Sequence, residues 1–264
     1  FRSLKADAAT LASSQRGLWM AWLSYPFIKA LHEFGHALAV RRAGGAVHEM
    51  GVTLLFFTPA PYVDASAANG FERRRDRVRV STAGIAVELV LAAGAAAVWF
   101  AVQPGLVRDL ALTVLLICSV STIVFNGNPL LRLDGYHVMA DALNLPNLAA
   151  RSSAWWAALA MRVLHGRDAP PPVQLAAGER KWLVAYAPLS WGYRIMLLAA
   201  LVGWVGGQSW LMGWLLAAAF TGWVGWQAGG WLLRVAGAGP ARRRAVAVLA
   251  CAGAALAVAL LAVP

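Results

Sequence analysis

Charge is what this chain has least of. Only 13% of its 264 residues are Asp, Glu, Lys or Arg, where a soluble globular domain carries about 25%. Acids are scarcest, 12 against 23 basic residues. With 60% of its residues hydrophobic, the chain lacks the polar side chains to cover a soluble globule. The composition predicts an all-α polytopic membrane protein. Cysteine is nearly absent, and Cys118 and Cys251 both fall in apolar runs. That excludes a disulfide scaffold and reads as two small buried residues. No internal repeat is found. The first 17 residues lack a signal-peptide pattern, and the chain, which begins at Phe1, reads as an excerpt of a longer protein. A net charge of +11 invites nucleic acid, but the basic residues stand in short clusters between apolar segments. Such clusters orient spans and contact anionic lipid head groups, so no nucleic-acid partner is expected.

What is present is a set of apolar segments long enough to cross a bilayer, which takes about 20 residues. Six candidates run over residues 18–40, 80–102, 109–126, 182–205, 209–233 and 245–264. Trp19, Trp22, Trp99, Trp182, Trp204 and Trp210 lie near their ends, where interfacial tryptophans belong. Loops 41–79, 127–181 and 234–244 carry seven, six and four basic residues, seventeen in all, against four on the opposite side. The positive-inside rule makes the first set cytoplasmic. Between the first two spans, residues 46–66 predict a short membrane-associated β-hairpin, its strands separated by Thr58-Pro59-Ala60-Pro61. Residues 146–166 predict an amphipathic helix on the membrane surface, ended by Pro170-Pro171-Pro172.

Inside the first span stands His32-Glu33-Phe34-Gly35-His36. HExxH puts two imidazoles one helical turn apart on one face, as a zinc ion needs, with a glutamate beside them that can act as general base. His32 lies about 12 Å from the cytoplasmic end of its span, at 1.5 Å per residue. A catalytic zinc takes three protein ligands. The best candidate for the third is Asp134, in Asn126-Gly127-Asn128-Pro129-Leu130-Leu131-Arg132-Leu133-Asp134-Gly135-Tyr136. This stretch is on the same side, and Pro129 and Gly135 predict unwound backbone at membrane depth. His137 is the rival ligand and otherwise a structural or ligand-supporting residue. Glu88 is the further buried charge. It either pairs with Lys29 or Arg194, or touches zinc-bound water or a ligating histidine.

The HExxH motif followed by Leu133-Asp134-Gly135 resembles the site-2 protease family of intramembrane metalloproteases. The run from Asn126 to Asp141, Asn147-Leu148, and Lys181-Trp182-Leu183 to Tyr193-Arg194 resemble its peptide zinc metalloprotease branch. The resemblance covers most of residues 20–200. It implies a three-helix core, Zn2+ held by His32, His36 and Asp134, Glu33 as general acid/base, and a membrane protein or peptide as substrate. It also implies a role for Asn126 or Asn128 in holding the substrate backbone or the carbonyl oxygen. Two departures stand out. The second core helix carries Gly84-Ile85-Ala86-Val87-Glu88 where many members have Gly-Pro-x-x-Asn, and there is no PDZ-like insertion.

The organisation expected is an N-terminal flank (1–17), a zinc protease core (18–145), a surface helix with linker (146–181) and an accessory three-helix bundle (182–264). The function expected is zinc-dependent endopeptidase activity in the cell membrane, with the active site facing the cytoplasm. The alternative is a non-proteolytic zinc-binding component of a peptide export or secretion system, which argues for a secretion-system or accessory partner. Glu33, dispensable for holding metal, speaks against it. An ion transporter would show repeated broken helices. The run Glu72-Arg73-Arg74-Arg75-Asp76-Arg77 reads as a head-group anchor. The glycines around Gly203, Gly206, Gly207, Gly213, Gly222 and Gly225 read as close helix packing and not as a ligand loop.

Overall fold

The computed structural model describes residues 2–55, 58–165, 175, 178–237 and 246. The sixth candidate span and Cys251 lie outside them, apart from Val246. The chain forms two compact units, Phe1–Pro146 and Asn147–Pro264. The described residues are mostly helical, with one two-stranded antiparallel sheet.

In the first unit, α1 (Arg2–Ser13) leads into α2 (Gln15–Arg42). Ser14 caps α2 by accepting from the Gly17 N–H at 3.0 Å. α2 carries the HExxH motif and is interrupted only by Pro26. α3 (Arg74–Ala101) and α4 (Leu106–Val120) pack on it, and α4 runs on through a π-helical turn, Ser121–Asn126. The short α5 (Asp134–Ala142) packs on α3. Two apolar layers hold the unit together. Ile28, Ala92 and Cys118 form one. Trp99, Ala111 and Leu112 form the other, covered by Leu4 and Leu11 of α1. Trp99 is thus buried in the protein near the end of α3, with the Arg108 guanidinium 4.7 Å from its ring centre.

β1 (Met50–Leu55) pairs with β2 (Thr58–Val63), and Val52 faces Pro61 while Leu54 faces Pro59. The two prolines therefore lie inside β2, where the sequence alone put them in the turn. Proline survives in a strand where its missing N–H would point away from the partner. Positions 59 and 61 share one edge, so both meet that condition.

In the second unit, α6 (Leu148–His165), α7 (Glu179–Gln208) and α8 (Trp210–Ala236) pack in sequence. Pro188 deprives α7 of one backbone N–H and so leaves the Val184 carbonyl without its helical donor. The Trp156 indole N–H of α6 donates to that carbonyl at 3.1 Å. Ser152, fully buried, donates to the Leu183 carbonyl at 2.6 Å and accepts from the Ala187 N–H at 3.0 Å. α6 is thereby fastened to the proline break of α7. Arg151 and Glu179 add an ion pair. α7 and α8 meet at Gly206 and Gly213, where a Cβ on Gly213 would stand 2.5 Å from the Gly206 Cα. Of the glycines read from the sequence as helix packing, only this pair meets; a Cβ at Gly203, Gly207, Gly222 or Gly225 would find nothing within 4 Å.

α3, α4 with its π turn, and α7 are long and apolar enough to cross a membrane, with only 22%, 33% and 6% of their most apolar stretches buried. So much outward apolar surface is what lipid-facing helices present.

Candidate metal centre

His32 and His36 stand one turn apart on α2, and both are buried. Their Nε2 atoms face each other at 3.2 Å. Asp134 Oδ2, from the first turn of α5, lies 3.0 Å from the first and 3.3 Å from the second. The three residues form the one group among the described residues whose spacing could hold a metal ion. A tetrahedral ion with bonds of about 2.0 Å keeps its ligand atoms about 3.3 Å apart, so these distances are close to the edges of such a tetrahedron. Asp134 Oδ2 is buried and, despite its two near nitrogens, makes no hydrogen bond. A buried carboxylate oxygen without a hydrogen bond calls for some other partner. The residues fit a small divalent cation.

The outer nitrogens are occupied. His36 Nδ1–H donates to the Val80 carbonyl of α3 at 2.8 Å, which turns its Nε2 lone pair inward. His32 Nδ1 lies 2.9 Å from Glu88 Oε1 as an ion-pair contact without hydrogen-bond geometry. Glu88, on α3, is wholly buried. It accepts from Lys29 Nζ at 2.6 Å, Ser121 Oγ at 3.2 Å, Thr122 Oγ1 at 2.8 Å and Asn126 Nδ2 at 2.9 Å. The two readings of Glu88 are therefore realised together, as it pairs with Lys29 and also touches a histidine of the cluster.

Local chemistry explains how these groups converge. In a π-helical turn, residues five apart come nearer to one face than they do in an α-helix. Asn126 Nδ2 accordingly reaches Ser121 Oγ at 3.1 Å, and Ser121, Thr122 and Asn126 all turn toward Glu88. Beyond the turn, Asn128 Oδ1 accepts from the Leu130 N–H at 2.8 Å and folds the chain back. Gly135 then meets the backbone of Gly127, since a Cβ there would stand 2.5 Å from Gly127 C and O. That backbone contact delivers Asp134 to the histidines. Gly35, inside the HExxH motif, has the same use. A Cβ on it would come within 2.8 Å of Val87 and 3.2 Å of the Ala83 carbonyl, so its absence lets α2 approach α3.

Gly84 is the residue sequence reasoning quoted without giving it a role. A Cβ at Gly84 would stand 2.4 Å from His32 Nε2 and 2.5 Å from His36 Nε2. The glycine keeps open the space beside both ligand nitrogens. Its position five residues after Arg79, near the basic end of α3, carries no local signature. Only its place opposite the motif in the fold reveals it.

Two cavities flank the cluster. One, about 290 Å3, is lined by Glu33, His36, Ser66, Asn69, Asp134, His137 and Asp141 among others. The other, about 640 Å3, is lined by His32, Glu33, Asp134, Ala60 and Pro61 of β2, and residues of α4. Glu33 and Asp134 border both. His137 is exposed and stands outside the three-residue cluster, its ring 5.1 Å from that of Tyr136. Asn126 borders the larger cavity but commits its amide N–H2 to Glu88 and Ser121.

Comparison with protein-family models, with curated proteins and with solved structures finds no match to this chain.

Proposed function

We propose that the chain is a zinc-dependent intramembrane endopeptidase of the site-2-protease type. The observation that carries this reading is the convergence of His32, His36 and Asp134 from two separate segments at tetrahedral spacing, with Glu33 bordering the same cavities. Zinc is the natural ion for two imidazoles and one carboxylate with a fourth position left for water. When bound, it would lower the pKa of its water toward about 7 and polarise a carbonyl.

The remaining work belongs to the chain. Glu33 takes a proton from the attacking water as its oxygen bonds to the scissile carbonyl carbon. As the C–N bond breaks, Glu33 returns the proton to the leaving amine. The smaller cavity, with Ser66, Asn69, His137 and Asp141, is polar enough to admit water. The larger one, walled by β2 and α4, is apolar enough to admit a membrane-embedded or membrane-adjacent peptide. β1 leaves one sheet edge open, and an extended peptide could add to it as a strand. With about six spans in the cell membrane and the basic loops cytoplasmic, the active site would open toward the cytoplasm.

Metal analysis of the purified chain, paired with peptide cleavage in a lipid environment, tests this. One zinc per chain is expected, lost in His36→Ala. Glu33→Gln should keep the zinc and lose cleavage by 10²-fold or more, roughly the general-base contribution. Zinc retained together with full cleavage in Glu33→Gln would overturn the hydrolytic reading.

A further inference from the structure

Two more cavities share none of His32, Glu33, His36 and Asp134. The first, about 500 Å3, is a furrow between α2 and α3. Its walls are Gly35, Leu38, Ala39, Ala83, Ala86 and Val87, and Arg42, Asp76 and Arg79 stand at one end. The small side chains leave it hollow, and the close approach at Gly35 forms its floor. Leu38 and Ala86 are exposed, so the furrow opens outward. The second cavity, about 700 Å3, is lined by Arg73, Arg74, Arg75, Asp76 and Arg79. Asp76 and Arg79 border both, so the two adjoin.

The charges are unbalanced. Five arginines face one carboxylate, and that carboxylate is already paired with Arg79 at 3.2 Å. Arg42, Arg73, Arg74 and Arg75 make no ion pair among the described residues. Past Arg79 the next eight residues of α3, Val80 to Val87, carry no charge. An apolar furrow thus begins where a guanidinium-lined chamber ends, at the terminus of a helix long and apolar enough to span a bilayer.

Each half alone would suit a different ligand. A free phosphate would satisfy the arginines and leave the furrow empty. An alkyl chain would fill the furrow and leave the arginines in water. One molecule that joins the two chemistries is a glycerophospholipid with a net negative head group. We propose that these adjoining cavities together form a binding site for one anionic phospholipid, its phosphate among Arg73, Arg74, Arg75 and Arg79 and an acyl chain along the furrow between α2 and α3. The site rests on α3 spanning a membrane and does not depend on the metal or on proteolysis. It narrows the diffuse head-group contact read from the sequence to one place.

Native mass spectrometry of the full chain, titrated with phosphatidylglycerol and with phosphatidylcholine of equal chain length, tests the site. One phosphatidylglycerol should bind at least tenfold more tightly than phosphatidylcholine. Arg74→Gln with Arg75→Gln should weaken that binding about tenfold or more, since each basic residue near an anionic head group contributes. Ala86→Phe, which fills the furrow without touching a charge, should weaken it comparably. Arg41→Gln, outside both cavities, should leave it unchanged, and inorganic phosphate should compete only weakly. Equal binding of the two lipids would overturn the proposal. So would an arginine effect with no effect of Ala86→Phe, which marks diffuse attraction, or ready displacement by phosphate, which marks a free-anion site. Helical content by circular dichroism confirms each variant is folded, and Ala86→Leu replaces Ala86→Phe should the larger ring disturb α3.

Discussion

The two units spend their buried polar groups differently. In the first, the Glu88 carboxylate gathers Lys29, His32, Ser121, Thr122 and Asn126 from two helical segments and lies beside the candidate metal-binding residues. In the second, both partners serve a backbone: Trp156 makes good the donor that Pro188 removes from α7, and Ser152 bridges the Leu183 carbonyl and the Ala187 N–H. One network holds a charge in the protein interior, where a carboxylate must be paired and hydrogen-bonded. The other contains no charge and joins two helices. Disruption of the first should therefore register in metal binding, and disruption of the second only in stability.

The largest effect should come from a single methyl group. Gly84→Ala places a Cβ within 2.5 Å of both ligand nitrogens, where either the histidines or α3 must shift. The expected outcome is zinc content near zero in the purified protein, with helicity retained. The same substitution at Gly203, whose Cβ would meet nothing within 4 Å, should leave zinc intact. Full zinc occupancy in Gly84→Ala would show that the space beside the imidazoles is not the metal's.

Next in size is the Lys29–Glu88 pair. Removing one member of a buried ion pair strands the other, typically at a cost of 3–5 kcal/mol, and so Lys29→Met alone should sharply lower the unfolding temperature. Lys29→Met with Glu88→Gln removes both charges and should recover much of that loss. Metal affinity should not recover with it. Loss of a partner on the outer nitrogen of a ligating histidine typically costs 10- to 100-fold, and that deficit should persist in the double variant. Chelator competition beside thermal unfolding separates the two roles. Recovery of both quantities together would make Glu88 a structural ion-pair partner only.

These residues differ in how visible they are in the sequence. HExxH is local, so both histidines and Glu33 can be found from spacing alone. Asp134 needs the broken segment around it, and its own turn residues supply that cue. The helices also fall where apolar length puts them, with α2, α3, α4, α7 and α8 each within about six residues of an apolar segment. What the sequence hides is long-range approach. Gly84, Val80 and Gly127 matter for what stands opposite them, and periodicity says nothing of that. The π turn has no signature of its own. Pro59 and Pro61 are hidden for a different reason. Proline reads first as a turn residue, yet two prolines at a spacing of two share one edge of a strand, and that spacing already permits a strand.

The smallest effect belongs to the second unit, and it takes a cycle of variants to see it. Trp156→Phe keeps the ring in place and removes the N–H that serves the Val184 carbonyl. A part-buried carbonyl left unpaired costs less than a fully buried one, for which the loss is about 1–3 kcal/mol, so the unfolding temperature should fall by no more than a few degrees while zinc content and affinity stay unchanged. Pro188→Ala returns a backbone N–H to α7 four residues after Val184, which can then bond that carbonyl in the ordinary helical way. In the Pro188→Ala background, Trp156→Phe should therefore cost much less than in the wild-type chain. The difference between the two costs measures how far α6 is held by a repaired helix and how far by packing of the indole against α7. Equal costs in both backgrounds would assign the contact to packing, and the contrast between the units would then rest on the first unit's charges alone.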